Sequence, residues 1–155
     1  MGIDDGAVAA VEAWIADAGV PAERPGPETW LLALSGEHRR NLPVALVLGP
    51  HVLTVEAFFL AAPDERRDEV YGLLLDRHRR SYTCRFARAA DGDLLLVAVL
   101  PRHAVTADEL DRTLGQLLVT ADDSYWPAIR LGFAAYIERE QAWRASVGMG
   151  RNPIT

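Results

Sequence analysis

Seven consecutive apolar residues, Leu94 to Leu100 (LLLVAVL), restrict the fold of this chain more than any other stretch. They follow Asp91-Gly92, a dipeptide that accepts the positive φ angles of a tight turn, and so read as the return strand of a hairpin. An antiparallel strand with one wet face alternates apolar with polar residues. This one does not, which predicts that both of its faces are covered by something. The outgoing strand does alternate, with Tyr82, Cys84 and Phe86 on one side and Thr83, Arg85 and Ala87 on the other. Before it, Val70, Leu73, Leu74 and Arg77 fall at i, i+3, i+4 and i+7, the spacing of one helical face. That helix is expected to start at Pro63-Asp64. Its first turns carry Asp64, Glu65, Asp68 and Glu69 and its last Arg77, Arg79 and Arg80, the order that a helix dipole favours.

The rest of the chain reads as cover for this unit. Asp4-Asp5 offer a cap for a first helix with the stripe Val8, Val11, Ile15 and Ala18, flanked by Trp14 and closed by Gly19. Val20 to Glu28 holds Pro21, Pro25, Gly26 and Pro27 and predicts a crossing loop. A three-stranded meander follows. Thr29 to Leu34 places Trp30, Leu32 and Leu34 on one side, Gly36 to Asn41 turns, and Val44 to Leu48 is apolar on both sides. After Gly49-Pro50, Val52 to Leu60 places Leu53, Val55, Ala57 and Phe59 on one face and Val52, Thr54, Glu56 and Phe58 on the other. Beyond Pro101, Thr106 and Glu109 form a capping box for a helix with Leu110, Leu114, Leu117, Leu118 and Ala121. A break is expected at Asp122 to Trp126, with Pro127 opening a further helix that carries Ile129, Phe133, Tyr136 and Ile137. The fold class is α+β. Residues 1–147 are expected to form one domain and 148–155 a fraying tail.

Composition bounds function. A chain of 155 residues with a formal charge of −6 repels nucleic-acid backbones and anionic membranes, so neither is expected as a partner. One cysteine cannot form an intramolecular disulfide, and the start MGIDDG lacks the order of a secretory signal, so a cytoplasmic location is expected.

Candidate chemistry is sparse. His38, His51, His78 and His103 show no ligand spacing, so no metal is expected. Cys84 shares its side of the strand with Tyr82 and Phe86, the placement of a buried structural thiol rather than a nucleophile. Asp91-Gly92-Asp93 lacks the ligand ladder of a calcium loop, and Asp122-Asp123 suits a capped interhelical break better than a magnesium site. Gly148-x-Gly150 has neither the strand nor the third glycine of a phosphate loop. No catalytic residue and no cofactor is expected. The arginines Arg77, Arg79, Arg80, Arg85 and Arg88 concentrate positive charge on an acidic chain. With Trp30, Phe58, Trp126, Tyr136 and Trp143 they supply the candidate surface, and the contacts expected for a partner or a second copy are Trp30, Phe58, Arg77, Arg80, Arg85, Arg88, Trp126 and Tyr136.

The order of elements, helix, three-stranded meander, helix, two-stranded hairpin and C-terminal helix or helices on a twisted antiparallel sheet, resembles the YbjN-like family. The likeness is carried by VLTVEAFFLAAP, by the helix with LLLDRH, by the hairpin from Asp91-Gly92 into LLLVAVLP, and by LDRTLGQLLVTADDSYWPAIRLG. It covers Val8 to Arg139. The resemblance implies the fold of type III secretion chaperones, and a bacterial chaperone-like or regulatory protein, often a homodimer, whose sheet or groove holds a protein segment. The expected role is therefore a non-catalytic protein-binding module. The alternative is a small-molecule binder or enzyme with a pocket between the sheet and the C-terminal helices, around Trp126 and Tyr136.

Overall fold

A computed structural model describes residues 6–151. The proposed Asp4-Asp5 cap and residues 152–155 of the expected tail lie outside the described residues. Ten helices and strands appear in the order α1 (Ala7–Ala18), β1 (Ala22–Gly26), β2 (Thr29–Leu34), β3 (Leu42–Leu48), β4 (Val52–Leu60), α2 (Arg67–Arg77), β5 (Cys84–Arg88), β6 (Leu94–Pro101), α3 (Ala107–Gly132) and α4 (Ala134–Ser146). Short 3-10 turns at His78–Arg80 and Arg102–Ala104 join α2 to β5 and β6 to α3.

The strands form one antiparallel sheet in the order β1-β2-β3-β4-β6-β5. Its inner face is built from alternate residues: Trp30, Leu32 and Leu34 of β2, Leu42 to Leu48 by twos on β3, Leu53 to Phe59 by twos on β4, and Leu94 to Leu100 by twos on β6. These join one buried cluster with Val11 and Trp14 of α1, Val70 and Leu74 of α2, and Leu110, Leu114 and Leu117 of α3. The two innermost tryptophans satisfy their indole N–H groups on acids, Trp30 on Glu12 at 2.9 Å and Trp14 on Asp111 at 3.2 Å. On α1 the buried line is Ala7, Val11 and Trp14, so Trp14 belongs to the stripe rather than beside it.

Local signals account for several boundaries. Gly19 ends α1 at φ 64°, and Gly92 takes φ 93° in the Asp91-Gly92 turn. Thr106 accepts the Glu109 N–H at 3.1 Å and caps α3. At the bulge near the end of β4, Arg39 reaches across and donates to the carbonyls of Phe58 and Phe59, both at 3.1 Å.

Four expectations are corrected. The segment 20–28 is no free loop: β1 pairs with β2, and Pro25 is tolerated because β1 is an edge strand with a register shift between Glu23 and Gly26. The helix expected at Pro63-Asp64 starts at Arg67, since the N–H groups of Asp64 and Glu65 are taken by the Gly132 carbonyl at 3.0 and 3.2 Å. α3 runs unbroken through Asp122 to Trp126 for 26 residues with Pro127 inside it. An internal proline costs about 3 kcal/mol, but the buried face continues across it through Ala121, Ser124, Ala128 and Gly132. The chain breaks instead at Phe133, before α4. Finally, Tyr82 stands 88% exposed ahead of β5 and shares no inner face with Cys84.

Two glycines of α3 predict opposite responses to one substitution. A Cβ at Gly132 would lie 2.9 Å from Pro63 Cβ and 3.3 Å from Val70 Cγ2, whereas one at Gly115 meets nothing within 4 Å. Gly132→Ala is expected to lower stability by about 1–3 kcal/mol, and Gly115→Ala to raise it by up to about 1 kcal/mol. Urea unfolding of both variants measures the contrast.

Candidate functional site: the open face of the sheet

Among the described residues no helix lies on the outer face of the sheet, so the fold itself covers only the inner face of Leu94–Leu100. On β6, burial alternates: Leu94, Leu96, Ala98 and Leu100 point inward, while Leu95 and Val97 are half-buried and Val99 is 54% exposed. Neighbouring strands do the same. Leu31 is 44%, Val47 46% and Phe58 37% exposed. The register draws these side chains into rows across the strands: Leu31, Ala45, Glu56, Val97 and Arg85 in one; Val47, Thr54 and Val99 in a second. In a third, Phe58 pairs with Leu95 and Leu95 with Ala87. Leu31, Pro43, Ala45, Glu56, Phe58 and Leu95 line a shallow apolar groove of about 340 Å³.

Three charges mark this face, Glu23, Glu56 and Arg85, all on the row of Leu31. Arg85 is committed to its own backbone, donating to the carbonyls of Ser81 at 2.9 Å and Cys84 at 2.7 Å. Glu56 is exposed and makes no ion pair or hydrogen bond among the described residues. Its nearest cross-strand neighbours, Ala45 and Val97, are apolar, with Glu23 and Arg85 at the two ends of the row.

The two sheet edges are less accessible than the face. β1 carries Pro25, which has no N–H to offer. On β5 the N–H of Cys84 is taken by Ser81 Oγ at 3.2 Å and that of Phe86 by His78 Nε2 at 2.8 Å. The His78 ring also stacks on Phe86, with centroids 5.8 Å apart and planes 12° apart. Exposed strand edges invite pairing with other chains, and these contacts occupy the donors that such pairing would use.

The expected contact residues are scattered by this arrangement. Phe58 and Arg85 lie on the open face. Trp30 is 1% exposed, because alternation along β2 turns it into the core, so its ring is not available to a partner. Arg77 and Arg80 lie at the end of α2, on the helical layer, and Arg88 borders a small apolar pocket with Tyr71, Leu74 and Phe86. Trp126 donates to His38 Nδ1 at 3.1 Å and packs on Tyr125, while Tyr136 is exposed on α4. The residues that sequence reasoning did not single out, Leu31, Val47, Leu95, Val97 and Val99, are those whose apolar side chains looked like core.

Cys84 is fully buried, and burial pushes its thiol pKa up. Its side-chain contact is Thr83 Oγ1 at 3.6 Å. Glu37, His38 and Asp122 bring their ligand atoms within 4.8 Å of one another. Asp122 Oδ1 already accepts the N–H groups of His38 at 2.7 Å and Arg39 at 2.8 Å. Desolvation pushes the Asp122 carboxyl up, but those N–H groups and His38 outweigh it and hold its pKa below the usual range. The cluster thereby pins the loop between β2 and β3 onto α3.

Residues 7–128 match the YbjN family model, described as "Putative bacterial sensory transduction regulator". Among curated relatives, Uncharacterized protein Rv0487 of Mycobacterium tuberculosis is 41% identical over 127 residues, 81% of this chain and 69% of that one. Uncharacterized protein ML2442 of Mycobacterium leprae is 36% identical over 124 residues, covering 80% and 67%. Several solved structures share the fold. The HopA1-SchA chaperone-effector complex aligns with TM-score 0.60 at 11% identity over 81% of this chain and 98% of that one. The ExsC-ExsE complex aligns with TM-score 0.57 at 18% identity over 79% and 93%. The ExoU-SpcU complex from the type III secretion system of Pseudomonas aeruginosa aligns with TM-score 0.57 at 16% identity over 76% and 96%. No helix among the described residues is long and apolar enough to cross a membrane.

The His78 contact predicts an acid response. Burial, with Arg85 beside it, lowers the His78 pKa below 6.5. Its Nε2 must be unprotonated to accept the Phe86 N–H, so the folded state binds this proton less readily than the unfolded chain. The contribution is present above about pH 6.5 and is lost as pH falls through the lowered folded value. His78→Gln is expected to flatten stability between about pH 6.5 and 5; denaturant midpoints at several pH values for both proteins measure it.

Proposed function

This chain belongs to the YbjN family, and from that membership and its uncovered apolar sheet face we propose that it is a non-catalytic protein-binding module, chaperone-like or regulatory. The observation that carries the reading is the set of exposed apolar side chains on three rows of the outer face, Leu31, Val47 and Val99 with Phe58. Contiguous exposed apolar surface of this kind on a folded domain marks an interaction site. Solved proteins of this fold that were captured with protein partners, in a chaperone-effector complex among others, support it.

The proposed partner is a polypeptide segment that docks across the strands rather than along an edge. It brings apolar side chains to Phe58, Leu95 and Val99, and a basic side chain to the unpaired Glu56 carboxylate. A charge unpaired in the free protein costs nothing while it is wet. Covered by a partner, it must be matched, and Glu56 would therefore select and orient the segment. A second copy of the chain is the competing occupant and gives the proposed homodimer. It would have to bury the two Glu56 carboxylates without a basic partner on the same face, since Arg85 is committed to its own carbonyls. The proposed setting is the cytoplasm, in keeping with a single, buried cysteine. A small-molecule pocket near Trp126 and Tyr136 has less support, because the one ring is tied to the 36–39 loop and the other projects from α4.

A photo-crosslinking residue placed at Val99, and separately at exposed Arg112 on α3, tests the surface in living cells. Crosslinks to polypeptide at Val99 and none at Arg112 are expected, and Glu56→Lys should abolish the Val99 product. Such face substitutions should change folding stability by less than about 0.5 kcal/mol. Equal crosslinking at both positions, or none at Val99, would refute the face as the binding surface. Light scattering after gel filtration separates the two occupants: a self-crosslinked dimer at Val99 names the second copy.

A further inference from the structure

On the helical layer, away from the open face, a cleft of about 330 Å³ lies between the end of α2 and the middle of α3, lined among others by Arg77, Arg80, Gln116, Thr120, Asp123 and Ser124. A second depression beside it shares Arg77 and Arg80 and adds Arg79 and Asp76. The structure assigns this cleft as a binding site for a phosphate group, carried as the free ion or as a monoester. The assignment is independent of the role proposed for the sheet.

The donors have no other use. Arg77, Arg79 and Arg80 make no hydrogen bond or ion pair among the described residues, in a chain that holds 22 acidic residues. Complementing the α2 dipole would explain their charge but not their idle guanidinium N–H groups, since the N–H of His78 already serves the carbonyls of Asp76 and Leu75. Among the three buried side-chain polar atoms without a partner, two belong to residues of this cleft, Arg77 Nε and Ser124 Oγ. A buried donor left unsatisfied costs about 1–3 kcal/mol, and an incoming oxyanion is the kind of group that recovers it.

Gln116 is oriented for the same purpose. Its Oε1 accepts the Thr83 backbone N–H at 3.1 Å and the Thr83 hydroxyl at 2.6 Å, so its amide N–H2 is the end left without a partner. Two guanidinium groups, an amide and the hydroxyls of Thr120 and Ser124 offer more donors than the two oxygens of a carboxylate can use. A phosphate has enough oxygens to use them, and arginine forks suit its geometry.

Asp123 makes the choice narrower. As the carboxylate that lines the cleft itself, with Asp76 in the adjoining depression, it repels a fully ionised anion but can accept the P–OH proton of monoprotonated phosphate. Sulfate at neutral pH has no such proton. Phosphate is therefore favoured over sulfate, and Asp123→Asn should reduce that preference.

The test is calorimetric titration of the full chain with inorganic phosphate, O-phosphoserine, and sulfate at matched ionic strength, together with thermal midpoints at rising concentration. Saturable heat with phosphate, and about tenfold weaker binding for Arg77→Gln/Arg80→Gln, is expected. Gly115→Met gives a second variant, because a Cβ there meets nothing within 4 Å and Gly115 lines the cleft, so a longer side chain is expected to obstruct it. It should fold normally and lose phosphate binding. Response to phosphoserine at least equal to that of the free ion identifies a monoester as the source; response to inorganic phosphate alone identifies the ion. Equal responses to sulfate and phosphate, or binding undiminished in both variants, would overturn the assignment.

Discussion

The packing of α3 against the inner face of the sheet is the contact on which the rest of the structure depends. Leu110, Leu114, Leu117 and Ala121 form an unbroken line on that helix and join Leu53, Val55, Phe59 and Leu96 in one buried cluster. Burial of each such leucine or phenylalanine is worth about 1.5–3 kcal/mol, so this layer outweighs the local cost of a proline inside the helix. It also settles where the other helices go. α1 and α2 pack on α3, and their buried residues belong to the same cluster. With α1, α2 and α3 on one side, no helix among the described residues covers the other.

That asymmetry explains how far the sequence could be read. The hairpin turn, the capped start of α3 and the alternation of β4 were legible, because each depends on residues adjacent in the chain. Gly92 must accept positive φ, Thr106 must reach its own third N–H, and Leu53 to Phe59 need only a period of two. β1 was hidden by Pro25, since whether a proline is tolerated depends on a strand's place in the sheet, and place is a property of the whole fold. The length of α3 was hidden likewise, because the packing that overrides Pro127 comes from residues far away in sequence.

The candidate site was misread for a different reason. Apolar residues on both sides of β6 do imply two apolar environments, but they do not say that both belong to the same chain. Trp30 and Val99 illustrate the point. By type, the tryptophan was the better candidate for a partner contact and the valine for a core position, yet register along the strands puts Trp30 at 1% exposure and Val99 at 54%. Residue type ranks burial only on average. A side chain's place on the inner or outer rows decides it here.

The short turn His78–Arg80 is shared by both layers and gives them a physical link. His78 holds the Phe86 N–H of edge strand β5, Ser81 holds the Cys84 N–H, and Arg80 and Ser81 line the cleft above α3. The turn has few conformations that keep all of these contacts, because each donor is fixed within a residue or two of the next. Protonating His78 removes one restraint, and filling the cleft with an anion adds another. The two act on one backbone segment with opposite sign. Edge protection on the sheet and the lining of the arginine cleft thus draw on neighbouring residues of one segment, His78 to Ser81.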